Sequence, residues 1–281
     1  MRADVLTFVE AISLAGDRAK QNDDALGFSG GRAWVLDGAT DMHGAPLTGW
    51  ASDASWIAHT ANAALYASDS ALEMRDVVRT TSALAAAAFA RISEGVSYEK
   101  WQSPISSLLM IEVTSAGIRG LDLGDSRVFA LSADGAVHIA GGVVGGRDAE
   151  ADTAAKQTDA DKPLLQRTAT IDMLRRNRAS LNRPGSHWTF GIDPACADHA
   201  RAWAFDLARP AHVLLMTDGF AVLADQYGAY TPEGLVRAVV EKGLQELGRE
   251  LRAIEAADAG GAKHPRFKAS DDATALLLRL S

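Results

Sequence analysis

The sequence predicts an α+β sandwich, and two observations support this prediction. Apolar segments of strand length are grouped at the beginning, in the middle and at the end of the chain. Helical patterns between them occur as a pair or singly, whereas strict alternation with the strands would be typical of a doubly wound parallel sheet. Because no linker divides residues 1–281, we expect one domain.

Seven segments have the length and apolar content of sheet strands. They are bounded by Gly, Asp or Ser, as strands joined by tight turns usually are. The predicted strands are residues 32–36, 107–113, 118–123, 128–131, 202–207, 213–216 and 274–280.

Three further segments carry apolar residues at helical spacing. Two consecutive amphipathic helices are predicted after the first strands, around residues 56–65 and 78–92. A later helix begins with Thr231 as its N-cap, and its apolar side extends to Ile254. Residues 258–271, rich in Gly, Ala and charge, are predicted to form a flexible connector.

Charge and composition exclude several classes of protein. The 28 Lys and Arg against 36 Asp and Glu give a net charge of −8, which argues against nucleic acid as the main partner. The longest apolar run, residues 83–90, is much shorter than the roughly 20 residues of a membrane-spanning helix, so we expect no membrane insertion. Cys196 is the only cysteine, and no basic leader precedes a long apolar core, so we expect a cytoplasmic protein without a disulfide or a secretory signal.

Aspartates follow or precede apolar segments at several places, where a carboxylate can point out of the end of a sheet. Taken singly, each is more typical of a turn, because Asp favours turns and caps. Several converging carboxylates would repel one another unless hard cations such as Mg²⁺ or Mn²⁺ neutralised them. These aspartates are Asp23, Asp24, Asp37, Asp125, Asp218, Asp271 and Asp272.

In this order, the motifs resemble the metal-dependent type-2C protein phosphatases, the PPM family of Ser/Thr phosphatases, in their bacterial type. The most specific parts are Gly-Asp-Ser-Arg at 124–127 and Thr-Asp-Gly after three apolar residues at 217–219. The resemblance extends over almost the whole chain. Its remaining parts are Arg18 with Asn22, Asp23 and Asp24, then Asp37 with Gly38, and then Asp271 to Thr274.

The resemblance implies a four-layer αββα sandwich, in which two antiparallel sheets are flanked by helices and a binuclear Mg²⁺ or Mn²⁺ centre lies at one end. Asp37 would bridge both ions and the carbonyl of Gly38 would also bind. Asp218 and Asp271 would complete the ligand set of one ion, and Asp23 would be a ligand of the other.

A third, weakly held ion would be bound by Asp125 together with Asp218. Arg18 would bind the substrate phosphate, since its planar guanidinium suits phosphate better than a lysine does. Catalysis is therefore expected to depend on Arg18, Asp37 and Asp218.

The sequence also departs from the family pattern. Asp23 replaces a Glu, so its shorter carboxylate would reach a metal through water. Ala39 stands where eukaryotic relatives carry a His; His43 is the nearest other candidate acid, although an ordinary exposed turn histidine is the simpler interpretation. Asp24 is expected to orient Arg18 or a water, and Asp272 to be a turn residue.

The expected reaction is hydrolysis of phosphoserine and phosphothreonine on proteins by a water that bridges two divalent cations. A phosphorylated protein is the expected substrate, and a Ser/Thr kinase is a candidate partner. Two alternatives remain open: a catalytically weak pseudophosphatase that binds a phosphorylated partner, and a metal-dependent phosphatase of small molecules.

A helical flap is predicted as an insertion at about 143–187. Leu164, Ile171, Leu174 and Leu181 give it one narrow apolar stripe. From Lys162 to Arg183 its charge is strongly positive, with a local net charge of +5, which would attract acidic protein segments to an adjacent site. The basic residues are Lys162, Arg167, Arg175, Arg176, Arg178 and Arg183, against the single acidic residue Asp172.

Overall fold

Two antiparallel sheets pack face to face in the computed structural model, which describes residues 5–143, 152–155 and 164–281. The first sheet has the strand order β1-β11-β10-β6-β7, and the second has the order β2-β3-β4-β5-β9, with β8 paired to β4. The strands are β1 (Leu6–Leu14), β2 (Asp24–Ser29), β3 (Arg32–Gly38), β4 (Ile105–Val113), β5 (Gly117–Leu123), β6 (Arg127–Leu131), β7 (Val137–Gly141), β8 (Phe190–Gly191), β9 (Arg201–Asp206), β10 (Ala211–Met216) and β11 (Ala273–Leu280).

Helices cover the outer face of each sheet. The second sheet packs against the first two helices, and the first sheet packs against the last three. Both faces of the central strands are therefore buried, which explains why these strands are apolar throughout rather than alternating. The helices are α1 (Asp53–Tyr66), α2 (Met74–Ile92), α3 (Thr168–Ser180), α4 (Asp218–Asp225), α5 (Pro232–Lys242) and α6 (Leu244–Ala257).

Strand β3 shows how one sequence serves two core layers. Ala33 and Val35 are buried between the sheets, whereas Trp34 and Leu36 are buried against the α1 and α2 side. Successive side chains of a strand point to opposite faces, so a single apolar strand contributes to both layers. The indole of Trp34 donates a hydrogen bond to Asn62 Oδ1 of α1 at 2.8 Å, which satisfies its buried N–H.

The α+β sandwich and its four layers are confirmed. All seven predicted strands are present, and both predicted early helices form. The pattern missed β1, β2, β7, β8 and α4. In β1, Phe8 and Val9 are about half exposed and a bulge interrupts the register between Phe8 and Glu10, so no clear alternation marks the strand.

The single helix predicted from Thr231 to Ile254 is wrong, because the chain forms two helices there. Thr231 does cap α5, since its hydroxyl accepts from Gly234 N at 3.0 Å. Gly243 then adopts φ +84°, which ends α5. The carboxylate of Glu10 in β1 accepts from Leu244 N at 2.8 Å and thereby caps α6 from outside the helix.

The flap prediction falls partly on residues outside the described ranges, among them Lys162. The part that the structure describes contains a helical turn at 152–155, a short 3₁₀ turn at Leu164–Gln166 and helix α3. Residues 258–271 contain no helix or strand, as predicted. Among the described residues, every helix is too short or too polar to cross a lipid bilayer.

Candidate metal centre

Aspartates from both sheets meet at one cavity of about 550 Å³. Asp37 is the penultimate residue of β3 in the second sheet. Asp218 follows β10, and Asp271 lies just before β11, so both belong to the first sheet's end of the cavity. Asp125 joins them from the turn between β5 and β6. The sandwich thus brings together four of the aspartates that the sequence singled out.

The carboxylates of Asp37, Asp125 and Asp218 are the most closely grouped. Each offers an oxygen, and these oxygens lie within 4.8 Å of one another. Burial raises the pKa of Asp37 well above its ordinary value, and the neighbouring charges of Asp218 and Asp24 raise it further. Crowded carboxylate oxygens are the hard ligands that Mg²⁺ and Mn²⁺ prefer, so this donor set fits such ions.

Gly38 and Gly219 allow the backbone to approach this group closely. A Cβ on Gly38 would lie 2.4 Å from Ala54 O and 2.7 Å from Asp23 O, so only glycine fits between them. The Gly38 N–H donates to Asp23 O at 3.0 Å, and Gly38 lines the cavity. A Cβ on Gly219 would lie 1.9 Å from Asp272 O. Both Asp-Gly pairs therefore have a steric reason for their glycine.

Asp271 shares the cavity with a lysine that the sequence motifs missed. Lys268 Nζ lies 2.7 Å from Asp271 Oδ1, and the same oxygen accepts from Asp272 N at 3.0 Å. Burial alone would lower the pKa of Lys268, but the charges of Asp271 and Asp37 outweigh it and raise the pKa overall. Only its position three residues before Asp271 could have suggested Lys268 from the sequence.

Asp23 lies outside the close group of carboxylates. It is partly buried, and its carboxylate accepts from the hydroxyl of Ser52, the N-cap of α1. Burial raises its pKa to about 6, and the nearby charge of Asp272 also acts in this direction. Asp23 is not among the residues that line the cavity. Its predicted role as a metal ligand through water stays a prediction.

Asp24 and Asp272 join the elements around the cavity. Asp24 is buried, and its Oδ2 accepts a hydrogen bond from Thr217 Oγ1 at 2.9 Å. Thr217 is the residue directly before Asp218. Burial raises the pKa of Asp24 well above its ordinary value. Asp272 accepts from Gly16 N at 2.7 Å and from Asp23 N at 2.6 Å. These bonds fix the segment between β1 and β2 against the start of β11.

The structure places Arg18 away from the aspartates. Its side chain is exposed on the segment between β1 and β2 and does not line the cavity. The spacing of Arg18 to Asn22 could not reveal this placement. Its phosphate-binding role stays a prediction.

His43 is not an exposed turn histidine, and that interpretation is corrected here. Only 9% of its side chain is exposed; Nε2 lies 3.4 Å from Asp53 Oδ2, and Nδ1 lies 2.8 Å from Ala45 O. Asp53 also accepts from Leu47 N and Thr48 N, both at 2.9 Å. Residues 41–53 fold back onto the start of α1, so these polar groups stabilise the loop.

Helix α3 is held against the segment that follows β3. Arg175 donates to Met42 O at 2.6 and 3.1 Å and lies 4.4 Å from the ring centroid of Trp101. Arg178 donates to Thr40 O at 2.9 Å, and burial lowers its pKa to about 10. These two arginines therefore hold the helix, and only Arg176 and Arg183 of the described basic residues in this region are exposed.

Solved structures of bacterial Ser/Thr phosphatases are similar to this structure over nearly the whole chain. The serine/threonine phosphatase PstP/Ppp of Mycobacterium tuberculosis matches with a TM-score of 0.58 at 17% identity, over 98% of this chain and 99% of that chain. The PPM Ser-Thr phosphatase MsPP of Mycobacterium smegmatis, in complex with cacodylate, has a TM-score of 0.54 at 18% identity, with coverage of 98% and 100%.

The catalytic domain of the serine/threonine protein phosphatase PstP, in complex with two manganese ions, matches with a TM-score of 0.53 at 16% identity, over 98% and 99% of the two chains. No protein-family model matches the sequence, and no curated protein is significantly similar to it. The full-length matches and the two helix-covered sheets show that this chain has the fold of the PPM Ser/Thr phosphatases.

Proposed function

We propose that this protein is a metal-dependent phosphatase that hydrolyses phosphoserine and phosphothreonine on proteins. The observation that supports the proposal most strongly is the meeting of the Asp37, Asp125 and Asp218 carboxylates, with oxygens within 4.8 Å of one another. The fold, shared with the Ser/Thr phosphatases named above, supports the same reaction. Mg²⁺ or Mn²⁺ is the proposed cofactor, because the donor set consists of oxygens only.

The proposed ligands are those that the resemblance to the phosphatase family implies. Asp37 would be a ligand shared by two ions, the Gly38 carbonyl would also bind, and Asp218 and Asp271 would complete the ligand set of one ion. Asp23 would bind the other ion through water, and Asp125 with Asp218 would hold a further ion. When bound, two such ions supply a water of lowered pKa in line with the phosphorus and neutralise charge on the phosphate.

The chain's own residues prepare the site for cations. Burial and the neighbouring carboxylates both disfavour the ionised form of Asp37, so this form is destabilised unless a positive charge is present. Gly38 and Gly219 leave space for the backbone of Ala54, Asp23 and Asp272 to pack directly against the residues that follow Asp37 and Asp218. Asp24, through Thr217, fixes the residue that precedes Asp218. These contacts keep the ligands in place before substrate arrives.

The proposal is tested by hydrolysis of a phosphoserine peptide with Mn²⁺, with Mg²⁺ and after chelation. We expect turnover that requires the metal and falls by at least about 100-fold in Asp37→Asn, because one bridging ligand is lost. Asp206→Asn is the matched control, since Asp206 is exposed and does not line the cavity. Turnover that survives chelation would contradict the proposal.

The same assay separates the two alternatives. Phosphosugars and nucleotides that are hydrolysed much faster than phosphopeptides would make the protein a small-molecule phosphatase. Tight phosphopeptide binding without turnover in either metal would make it a pseudophosphatase. We do not expect binding without turnover, because the carboxylates of Asp37, Asp125 and Asp218 are present together. We expect phosphopeptides to be preferred, because the fold is shared with Ser/Thr protein phosphatases.

A further inference from the structure

The loop of residues 258–271, here called the Lys268 loop, brings a lysine to the wall of the metal cavity. Arg266 fixes the loop from within, donating to Asp258 at 2.9 Å and to the carbonyls of His264 and Ala269 at 3.0 Å. The side chains of Arg266 and Asp258 are only 10% and 11% exposed. The loop is therefore a built structure rather than a free connector, and it determines where Lys268 lies.

Neighbouring elements also hold the Lys268 loop. Gln226, at the end of α4, donates to Pro265 O at 2.8 Å. Arg167, just before α3, donates to Phe267 O at 3.2 Å. Phe267 and Lys268 both line the cavity. Contacts from the first sheet's helices and from the flap therefore position the residue next to Lys268.

The ammonium of Lys268 lies at the edge of the carboxylate group. Its Nζ is 2.7 Å from Asp271 Oδ1, and its side chain remains 36% exposed. An ammonium has three N–H donors, and Asp271 occupies one of them. The cavity that contains Asp37 and Asp218 is thus within reach of a positively charged group with donor capacity to spare.

The two arginines on the described cavity wall are already engaged. Arg178 is half-buried and donates to Thr40 O at 2.9 Å. Arg266 is occupied by Asp258 and by carbonyls of its own loop. Arg18, the residue expected from the sequence, lies outside the cavity. Among the described lysine and arginine side chains that line the cavity, Lys268 is therefore the one best placed to meet an anion.

Charge balance explains why a cation is needed here. A phosphate ester with two negative charges is repelled by ionised carboxylates, and divalent ions that neutralise the carboxylates remove this repulsion. The ammonium that had balanced Asp271 then carries an unbalanced positive charge beside the phosphate. We propose that Lys268 is a phosphate-binding residue, whose ammonium contacts a phosphate oxygen of the substrate; this inference rests on the proposed function.

The test measures orthophosphate binding directly, by calorimetry on the full chain in Mg²⁺. Lys268→Met should weaken the Kd for orthophosphate by about tenfold, because a hydrogen bond between charged groups is lost. Lys268→Arg, which keeps the charge, should weaken it by less than about threefold. Lys263→Met is the matched control, since Lys263 is an exposed lysine of the same loop and its loss changes the net charge equally. It should leave the Kd within about twofold.

Two further measurements separate binding from structure. For an aryl phosphate, Lys268→Met should raise KM with a smaller change in kcat, as expected when ground state and transition state lose the same contact. Its Mg²⁺ affinity should be equal to that of the wild type or tighter, because a competing cation is removed from Asp271. A loss of Mg²⁺ affinity would instead make Lys268 a structural partner of Asp271 and overturn the inference.

The inference and the proposed function can fail separately. A wild-type protein that turns over phosphopeptide, with an unchanged orthophosphate Kd in Lys268→Met, would overturn the inference alone. Orthophosphate binding that depends on Lys268 in a protein without turnover would support the inference and contradict the proposed function. A wild type that does not bind orthophosphate in Mg²⁺ would overturn the inference.

Discussion

At the scale of single residues, Asp37 illustrates how function and stability oppose each other. Its carboxylate is half-buried, and burial together with the charges of Asp218 and Asp24 raises its pKa well above the ordinary value. A carboxyl group in such surroundings destabilises the metal-free fold when it ionises. The protein is therefore expected to be more stable when this charge is removed, although the proposed reaction needs it.

Replacing Asp37 with Asn should raise the melting temperature of the metal-free protein at neutral pH. We expect an increase of about 2–4 °C, since relief of about 1 kcal/mol shifts Tm by that amount in a domain of this size. The measurement is calorimetry in chelator, with Asp206→Asn as the control. A lower Tm for Asp37→Asn would contradict the placement of Asp37 among repelling charges.

The raised pKa of Asp23 predicts that this carboxylate lowers the stability of the metal-free fold as the pH rises. Its folded-state pKa of about 6 lies above the ordinary 3.8, so the folded protein binds this proton more readily than the unfolded chain. The destabilising effect is fully present above about pH 6 and disappears as the pH falls toward 3.8. In chelator, Asp23→Asn should therefore increase the free energy of unfolding at pH 7.5 and change it less at pH 4.5. The measurement is urea unfolding at both pH values. An equal effect at both values would contradict this pKa.

Arg18 and Lys268 can be compared in one kinetic experiment. The sequence predicts a raised KM and a smaller loss of kcat for Arg18→Ala, whereas the structure places Arg18 outside the cavity. We therefore expect a smaller rise in KM for Arg18→Ala than for Lys268→Met with the same phosphopeptide. The reverse order would return the principal phosphate contact to Arg18.

At the scale of elements, α3 shows that the positive charge of the flap has two uses. Arg175 and Arg178 donate to Met42 O and Thr40 O and fix the helix beside the cavity. Arg176 and Arg183 remain exposed. The sequence predicts that the whole segment from Lys162 to Arg183 attracts an acidic substrate. Among the described residues, we now expect this attraction from the exposed Arg176 and Arg183.

Reversing the charge of this pair, in Arg176→Glu with Arg183→Glu, should lower kcat/KM for an acidic phosphopeptide. We expect a decrease of about tenfold at low salt and a smaller one at high salt, because exposed charges are screened. Hydrolysis of a small aryl phosphate should change little. Arg91→Glu with Arg249→Glu, exposed residues on α2 and α6, provides the same change in net charge. Equal effects of the two double variants would show that α3 does not select substrates.

At the scale of the whole molecule, the candidate metal centre joins the two sheets. Asp37 comes from β3 of the second sheet, whereas Asp218 and Asp271 come from the ends of β10 and β11 in the first. Ions bound by all three would link the sheets at one end of the sandwich. Metal binding should therefore stabilise the entire fold and not only the loops around the cavity.

Adding Mg²⁺ or Mn²⁺ should raise the Tm of the wild-type protein. At a metal concentration about 100 times the Kd, binding contributes about 2.7 kcal/mol, which corresponds to roughly 5–10 °C. The measurement is calorimetry against metal concentration, with K⁺ at equal ionic strength as the control. Asp37→Asn should lose most of this increase, and an equal increase in that variant would contradict a shared site at Asp37.

Much of this protein follows from the sequence alone. Strands buried on both faces are apolar along their length, so their presence and the α+β class could be predicted from short segments such as 107–113 and 274–280. Aspartates at strand ends marked Asp37, Asp125, Asp218 and Asp271, the first three beside a glycine, because a tight turn at a strand end has a local signature. These features depend on neighbours in the chain.

Other features were decided only by the tertiary structure, because they depend on groups distant in sequence. The cap of α6 comes from Glu10, more than 200 residues earlier, so the break at Gly243 has no complete local signal. Arg18 has motif spacing but lies outside the cavity, whereas Lys268 belongs to no motif and reaches it because Arg266 and Gln226 hold its loop. Sequence patterns report local geometry, and the identity of the cation beside the carboxylates depends on how distant elements pack.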